Sequence, residues 1–148
     1  MRNGTFQPNG AVFDKGDRAG TWDLGLDPEA TRQMLLEKMR EARDKALQGS
    51  VRARRRLAKL AVLLTQLDNA ARVSEAHEAV SAWLKIGAPR AFRKIRLRVR
   101  KQKRNPEKRI IKIPLEVVEL VADVVKPEDV GTVNSIKKLA AFNPFSGF

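Results

Sequence analysis

Apolar positions recur at helical spacing over most of the chain. Leu35, Met39, Ala42 and Ala46 follow one another at steps of four, three and four, which places them on one stripe of a helix. Asp27-Pro28-Glu29 just ahead is a helix start: Asp caps the first amides, Pro suits the first turn, and Glu complements the positive helix end. Gly49 predicts the stop. Ser50 then caps a second helix with a stripe of Leu57, Leu60, Ala61, Leu64 and Leu67. A third and shorter helix is expected from about Glu75 to Ile86. Ser74 is its cap, Ala76, Val80, Trp83 and Leu84 form its inner face, and Gly87 and Pro89 end it. Pro114 opens a fourth, dominated by Val117, Val118, Leu120, Val121, Val124 and Val125, with Glu116, Glu119 and Asp123 sharing one side. Pro127-Glu128-Asp129 predicts a last helix with Val130, Val133, Ile136 and Leu139 or Ala140 facing inward, weakened by Gly131.

In one place the period changes from helical to two. Ile95, Leu97 and Val99 alternate with Arg96, Arg98 and Arg100, which puts the apolar set on one face of a strand and the arginines on the other. Gln102 to Glu107 reads as a turn around Asn105-Pro106, and Arg109 to Ile113 returns with Ile111 and Ile113 on one face. The prediction is a hairpin over about residues 93–113. The rival is a basic helix carrying Phe92, Ile95 and Val99, which leaves Leu97 without a place on its stripe.

Charge sharpens this picture. Residues 90–112 hold twelve Lys or Arg against the single acid Glu107, so they carry +11 of the chain's +13. Cations this concentrated repel one another unless an anionic partner lies against them, and nucleic acid is the commonest such partner. Arg96, Arg98 and Arg100, with Lys101, Lys103 and Arg104 in the turn, are the expected phosphate ligands. Arg52, Arg55 and Arg56, in the first turns of the second helix, are a second set, because a helix N-terminus favours anions and opposes unneutralised cations. Contacts of this kind position a polyanion, DNA or RNA, without specifying its sequence. The acidic side at Glu116, Glu119 and Asp123 is a candidate counter-surface for the hairpin, within one molecule or between neighbours.

The 148 residues suit one domain. Residues 1–26 form a glycine-rich arm holding Phe6, Phe13 and Trp22, residues 27–141 the helical domain with its hairpin, and residues 142–148 a tail holding Phe142, Phe145 and Phe148. Six of the eight Phe and Trp thus lie in terminal arms, where they suit anchoring on other subunits, identical or different, as well as folding back on the chain's own core. Cysteine is absent, which removes disulfides and thiolate metal sites and leaves both a reducing interior and a virus particle open. No apolar run reaches the length of a membrane span, the longest being Leu60-Ala-Val-Leu-Leu64, and no secretory signal is expected.

Catalytic chemistry finds little to stand on. His77 is the sole histidine, and without a second one four residues on it makes no zinc helix, so an ordinary surface position is expected. Ser135-Ile-Lys-Lys138 matches a nucleophile motif that lacks its companions. Asp14, Asp17 and Asp23 sit in a loose glycine-rich stretch and suit solvated turns better than Mg²⁺. No enzyme, cofactor or metal is expected.

Residues 66–86, QLDNAARVSEAHEAVSAWLKI, resemble a helix-turn-helix of the kind found in phage repressors and small terminase subunits. Ala70, Ser74, Val80 and Trp83 stand at the spacings of that unit's small first-helix residue, turn residue and two core positions, and Gly87-Ala88-Pro89 is similar to its exit. The resemblance implies a reading helix showing His77, Glu78, Ser81 and Lys85. Ser74 replaces the usual turn glycine, and Glu75 stands where an apolar residue belongs.

The sequence thus predicts a mainly helical domain with one basic hairpin and two aromatic arms. The expected function is that of a non-enzymatic, nucleic-acid-binding structural subunit of a nucleoprotein assembly such as a virus or phage particle. The alternatives are a helix-turn-helix regulator or packaging protein, a protein-only scaffolding factor, and a metal-dependent nuclease.

Overall fold

The computed structural model describes residues 27–98 and 108–141. Helix α1 (Pro28–Leu47) begins as its sequence dictates: the Asp27 carboxylate accepts from the Ala30 N–H at 2.6 Å and Pro28 occupies the first turn. It ends in a glycine turn at φ +106°, where Gly49 donates to the Ala46 carbonyl and Ser50 to that of Lys45. Leu35, Leu36, Met39 and Ala42 are buried, while Ala46 is only partly covered.

Helix α2 (Val51–Asn69) is capped by the Ser50 hydroxyl, which accepts from the Ala53 N–H at 3.1 Å. Its pattern differs from the single stripe expected. Residues 60–66 are all buried, so every side of nearly two turns is covered. The other described helices, a 3₁₀ turn and the second strand of the hairpin all pack on it. The apolar run Leu60–Leu64 is the sequence's mark of this central helix.

Helix α3 (Val73–Lys85) begins two residues earlier than expected. Ala70 closes α2 in the left-handed region at φ 49°, and the Arg72 N–H is capped by the Glu75 carboxylate at 3.0 Å. Ser74 is therefore an exposed residue within α3, neither cap nor turn, and the turn lies some four residues before the position that the helix-turn-helix resemblance gave it. Trp83 is fully buried and donates its indole N–H to the Pro89 carbonyl at 3.0 Å.

Strands β1 (Lys94–Arg98) and β2 (Lys108–Lys112) form an antiparallel hairpin with Lys94 opposite Lys112, Arg96 opposite Ile110 and Leu97 opposite Arg109. Ile95, Leu97 and Ile111 are buried against the bundle, which decides for the strand over the basic helix. The chain then enters α4 (Leu115–Val121), whose Val117, Val118 and Val121 face the core.

The expected last helix is two pieces: a 3₁₀ turn (Pro127–Val130) and helix α5 (Val133–Ala141). Buried Asp129 tightens the first by accepting from the Lys126 N–H at 2.8 Å. Gly131 breaks the run at φ 72°, cheap only for glycine, and the Thr132 hydroxyl starts α5 by accepting from the Ser135 N–H at 3.1 Å. The architecture is mainly helical with a small two-stranded hairpin, as the sequence predicts.

Candidate nucleic-acid interface

One side chain closes the base of the hairpin and two fix it to the helices. Arg93 donates to the Ile113 carbonyl at 2.9 Å, and the Ile113 N–H returns to the Arg93 carbonyl at 2.7 Å, closing the base of the ladder. Arg109 lies on the inner face beside Ile111. Its guanidinium donates to the Asn69 carbonyl at 2.8 Å, at the negative end of α2, and approaches Glu75 to 3.4 Å. Asn69 holds the outer edge of β2 at Lys112.

With the inner face buried, alternation turns Lys94 and Arg96 of β1 and Ile110 and Lys112 of β2 outward, and all four are exposed. Arg98 pairs with Lys108 at the far end of the ladder. Arg100, Lys101, Lys103 and Arg104 lie outside the described residues, as do Phe6, Phe13, Trp22, Phe142, Phe145 and Phe148, together with the aspartates of the N-terminal arm.

Three arginines on the helices are paired with carboxylates. Arg32 bridges Asp68 at 2.9 Å and Glu116 at 2.8 Å, Arg43 meets Asp123 at 2.8 Å, and Arg54 meets the buried Asp129 at 2.8 Å. Glu119 reaches Arg90 at 4.0 Å. Within the molecule, the acidic side at Glu116, Glu119 and Asp123 thus faces α1 and Arg90 and not the strands of the hairpin. Hydrogen bonding to Arg43 holds the Asp123 carboxyl below its ordinary value, against a smaller opposing effect of burial. Burial pushes Glu116 up, but its own backbone hydrogen bond and Arg32 outweigh that and keep it low. Asp68 first, then Glu116, hold Arg32 well above the ordinary arginine range. By contrast, no carboxylate among the described residues pairs with Lys94, Arg96 or Lys112.

The second predicted cluster divides. Arg52 and Arg56 line a cleft of about 260 Å³ between α1 and α2, with Lys38, Glu41, Lys45 and Ser50. Burial lowers the pKa of Arg56, the like charge of Arg52 adds to this, and Glu41 opposes it. Arg55 is exposed and does not line the cleft. The cleft lies at the N-terminal end of α2 and the hairpin is bonded to its C-terminal end. Arg52 and Asn69 are therefore about 26 Å apart along the helix. The structure does not bring the two predicted clusters together.

His77 is half-buried and its Nε2 lies 2.8 Å from the Gly131 carbonyl, so it ties α3 to the last part of the chain instead of standing on an ordinary surface. That contact also covers part of the face that the helix-turn-helix resemblance would turn to DNA. The Ser135 hydroxyl donates to the Thr132 carbonyl at 2.7 Å, a local bond back to the residue that caps α5. Among the described residues no group of three His, Asp or Glu is placed to hold a metal ion, and no helix is long and apolar enough to cross a membrane.

Sequence reasoning passed over Lys94, Lys112 and Phe92. Parity was the available signal for all three, since Phe92 and Lys94 stand in phase with Arg96 and Lys112 alternates with Ile111 and Ile113. Comparison with protein-family models, with curated proteins and with solved structures returns no match.

Proposed function

We propose that the outer face of the hairpin binds the phosphates of a nucleic acid and that the chain acts as a structural subunit of a nucleoprotein assembly, without catalysis. The observation that carries this reading is the sorting of charge. Arg32, Arg43 and Arg54, packed on the helices, have carboxylate partners, whereas Lys94, Arg96 and Lys112 stand together, exposed and without one among the described residues, on a ribbon anchored by its buried side. Such a row supplies cations at fixed positions and little that reads bases. The charged segment over residues 99–107 continues it in sequence. The assembly half of the proposal rests on the aromatic residues of the two terminal arms.

The test is the salt dependence of binding. Replacing Lys94, Arg96 and Lys112 together with Gln should leave the helical circular dichroism unchanged. Every phosphate that the variant no longer neutralises should lower the slope of log K against log salt by about 0.9 on duplex DNA or about 0.7 on a single strand. An unchanged slope removes this face as the binding surface. For the assembly, the purified protein should carry nucleic acid, and nuclease treatment should alter its oligomeric state.

A further inference from the structure

Phe92 leaves 71% of its surface to solvent, while Trp83, the other aromatic among the described residues, is fully buried. It stands in phase with Lys94 and Arg96, and with Ala91, Arg93, Lys94 and Lys112 it lines a shallow depression of about 360 Å³ at the base of the hairpin. Ile110, 53% exposed, follows on the same face opposite Arg96. Along this surface the chemistry therefore runs phenyl ring, paired lysines, then arginine beside isoleucine. An exposed ring gains nothing from phosphates. The bases of a duplex are stacked inside it and present only edges, whereas an unpaired base presents a face on which an aromatic side chain stacks whatever the sequence.

We infer that the hairpin base takes single-stranded nucleic acid, with Phe92 stacked on an unpaired base and Lys94, Arg96 and Lys112 on the flanking phosphates. This rests on the phosphate-binding reading and narrows its substrate class. Charge complementarity favours this occupant: a ring set among unpartnered cations matches a chain in which apolar planes alternate with anions.

The experiment measures fluorescence anisotropy of a labelled unpaired oligopyrimidine and of a duplex of equal length, with the full chain and with Phe92→Ala, Phe92→Leu and Phe92→Trp. Exposure of Phe92 means that all three keep the wild-type melting curve. Phe92→Ala and Phe92→Leu should weaken single-strand binding about tenfold and leave duplex binding and the salt slope unchanged, and Phe92→Trp should retain affinity. Equal losses on both nucleic acids, or none on the single strand, overturn the stacking. So does a larger loss on phosphatidylserine vesicles, which would assign the ring to a lipid surface. The phosphate reading fails separately, on the Lys94, Arg96 and Lys112 variant, so the two failures are distinguishable.

Discussion

The side-chain amide of Asn69 holds both backbone polar groups of Lys112: Nδ2 donates to its carbonyl at 2.9 Å, and Oδ1 accepts from its N–H at 3.0 Å. The last residue of α2 thereby serves as a partner for the outer edge of β2, opposite the edge that β1 occupies. The same Nδ2 also donates to the Thr65 carbonyl at 2.8 Å, so the amide is held from its own helix. The central helix, buried on all sides over residues 60–66, is in this way joined to an exposed basic ribbon. Asn69→Ala should raise the hydrogen exchange rate of the Lys112 amide sharply and cost about 1–2 kcal/mol in denaturant unfolding, because water can replace part of what is removed at this exposed edge. Unchanged protection at Lys112 would mean that the ladder to β1 alone holds the strand.

Ala70 is a site for stabilisation. All three long helices end alike, with a residue just after the helix in the left-handed region: Gly49 at φ +106°, Gly87 at φ +97° and Ala70 at φ 49°. The Ala70 N–H reaches the Leu67 carbonyl and the Ala71 N–H that of Gln66, the same pair of bonds seen after α1. Of these three positions only Ala70 carries a Cβ; Ala88, which follows Gly87, is the other described alanine at positive φ, 52°. Ala70→Gly should raise the unfolding free energy by about 1 kcal/mol, read from the urea midpoint at constant m value.

Much of this was legible from local signals. Asp27, Ser50 and Gly49 mark their helix ends because capping is settled within three or four residues, and the alternation of Ile95 and Leu97 with arginines marks the strand because one face must be buried. One error was local and the others were tertiary. Glu75 caps α3 from inside the helix, so the more obvious Ser74 misled. Asp129 is committed to Arg54, a residue 75 positions away, and this long-range pair helps to close the turn that splits the last helix. The partners of Glu116 and Asp123 on α1 are equally distant in sequence, so only the packing of α4 on α1 reveals that this acidic side is already satisfied.

The Arg54–Asp129 pair should be the costliest ion pair to break. The Asp129 carboxylate is buried and accepts from the Arg54 Nε and the Lys126 N–H, both at 2.8 Å. Removing Arg54 leaves that charge without its cation, a loss of about 3–5 kcal/mol. Arg54→Ala should therefore lower the melting temperature by many degrees, whereas Arg55→Ala, an exposed neighbour, should stay within about 0.5 kcal/mol of the parent. Equal effects would show that water reaches Asp129.

Acid should loosen α4 from α1 before the bundle melts. Glu116 and Asp123 both have lowered pKa values in the fold, so their contribution is complete above the ordinary carboxylate range and is lost as the pH falls through that range and then through their folded values. The side chains are 32% and 63% exposed, so solvent screening limits each pair to about 0–1 kcal/mol. A Glu116→Gln and Asp123→Asn double variant should show a shallower decline of unfolding free energy below about pH 5 than the parent. Parallel curves for the two proteins would mean that these pairs add nothing to folding.

Leu97 separates the two faces of the hairpin by experiment. Its side chain is 4% exposed and stands opposite Arg109, on the face that packs against α3, while its neighbour Arg96 is exposed opposite Ile110. Leu97→Ala removes buried methyl groups and should cost about 2–5 kcal/mol, the upper part of that range applying if the hairpin cannot settle into the space left. Arg96→Ala should stay within about 0.5 kcal/mol in stability, because it leaves no cavity and breaks no ion pair among the described residues. Binding should divide the other way: Arg96→Ala lowers the slope of log K against log salt by about 0.9 on duplex DNA, whereas the folded fraction of Leu97→Ala keeps the parent slope. Were the segment to bind as a helix, residues 96 and 98 would point about 200° apart and could not serve one ligand together. Adding Arg98→Ala to Arg96→Ala should therefore lower the slope by a second step of the same size if the ribbon is the binding surface. A single step shared by both variants would limit phosphate binding on this strand to Arg96.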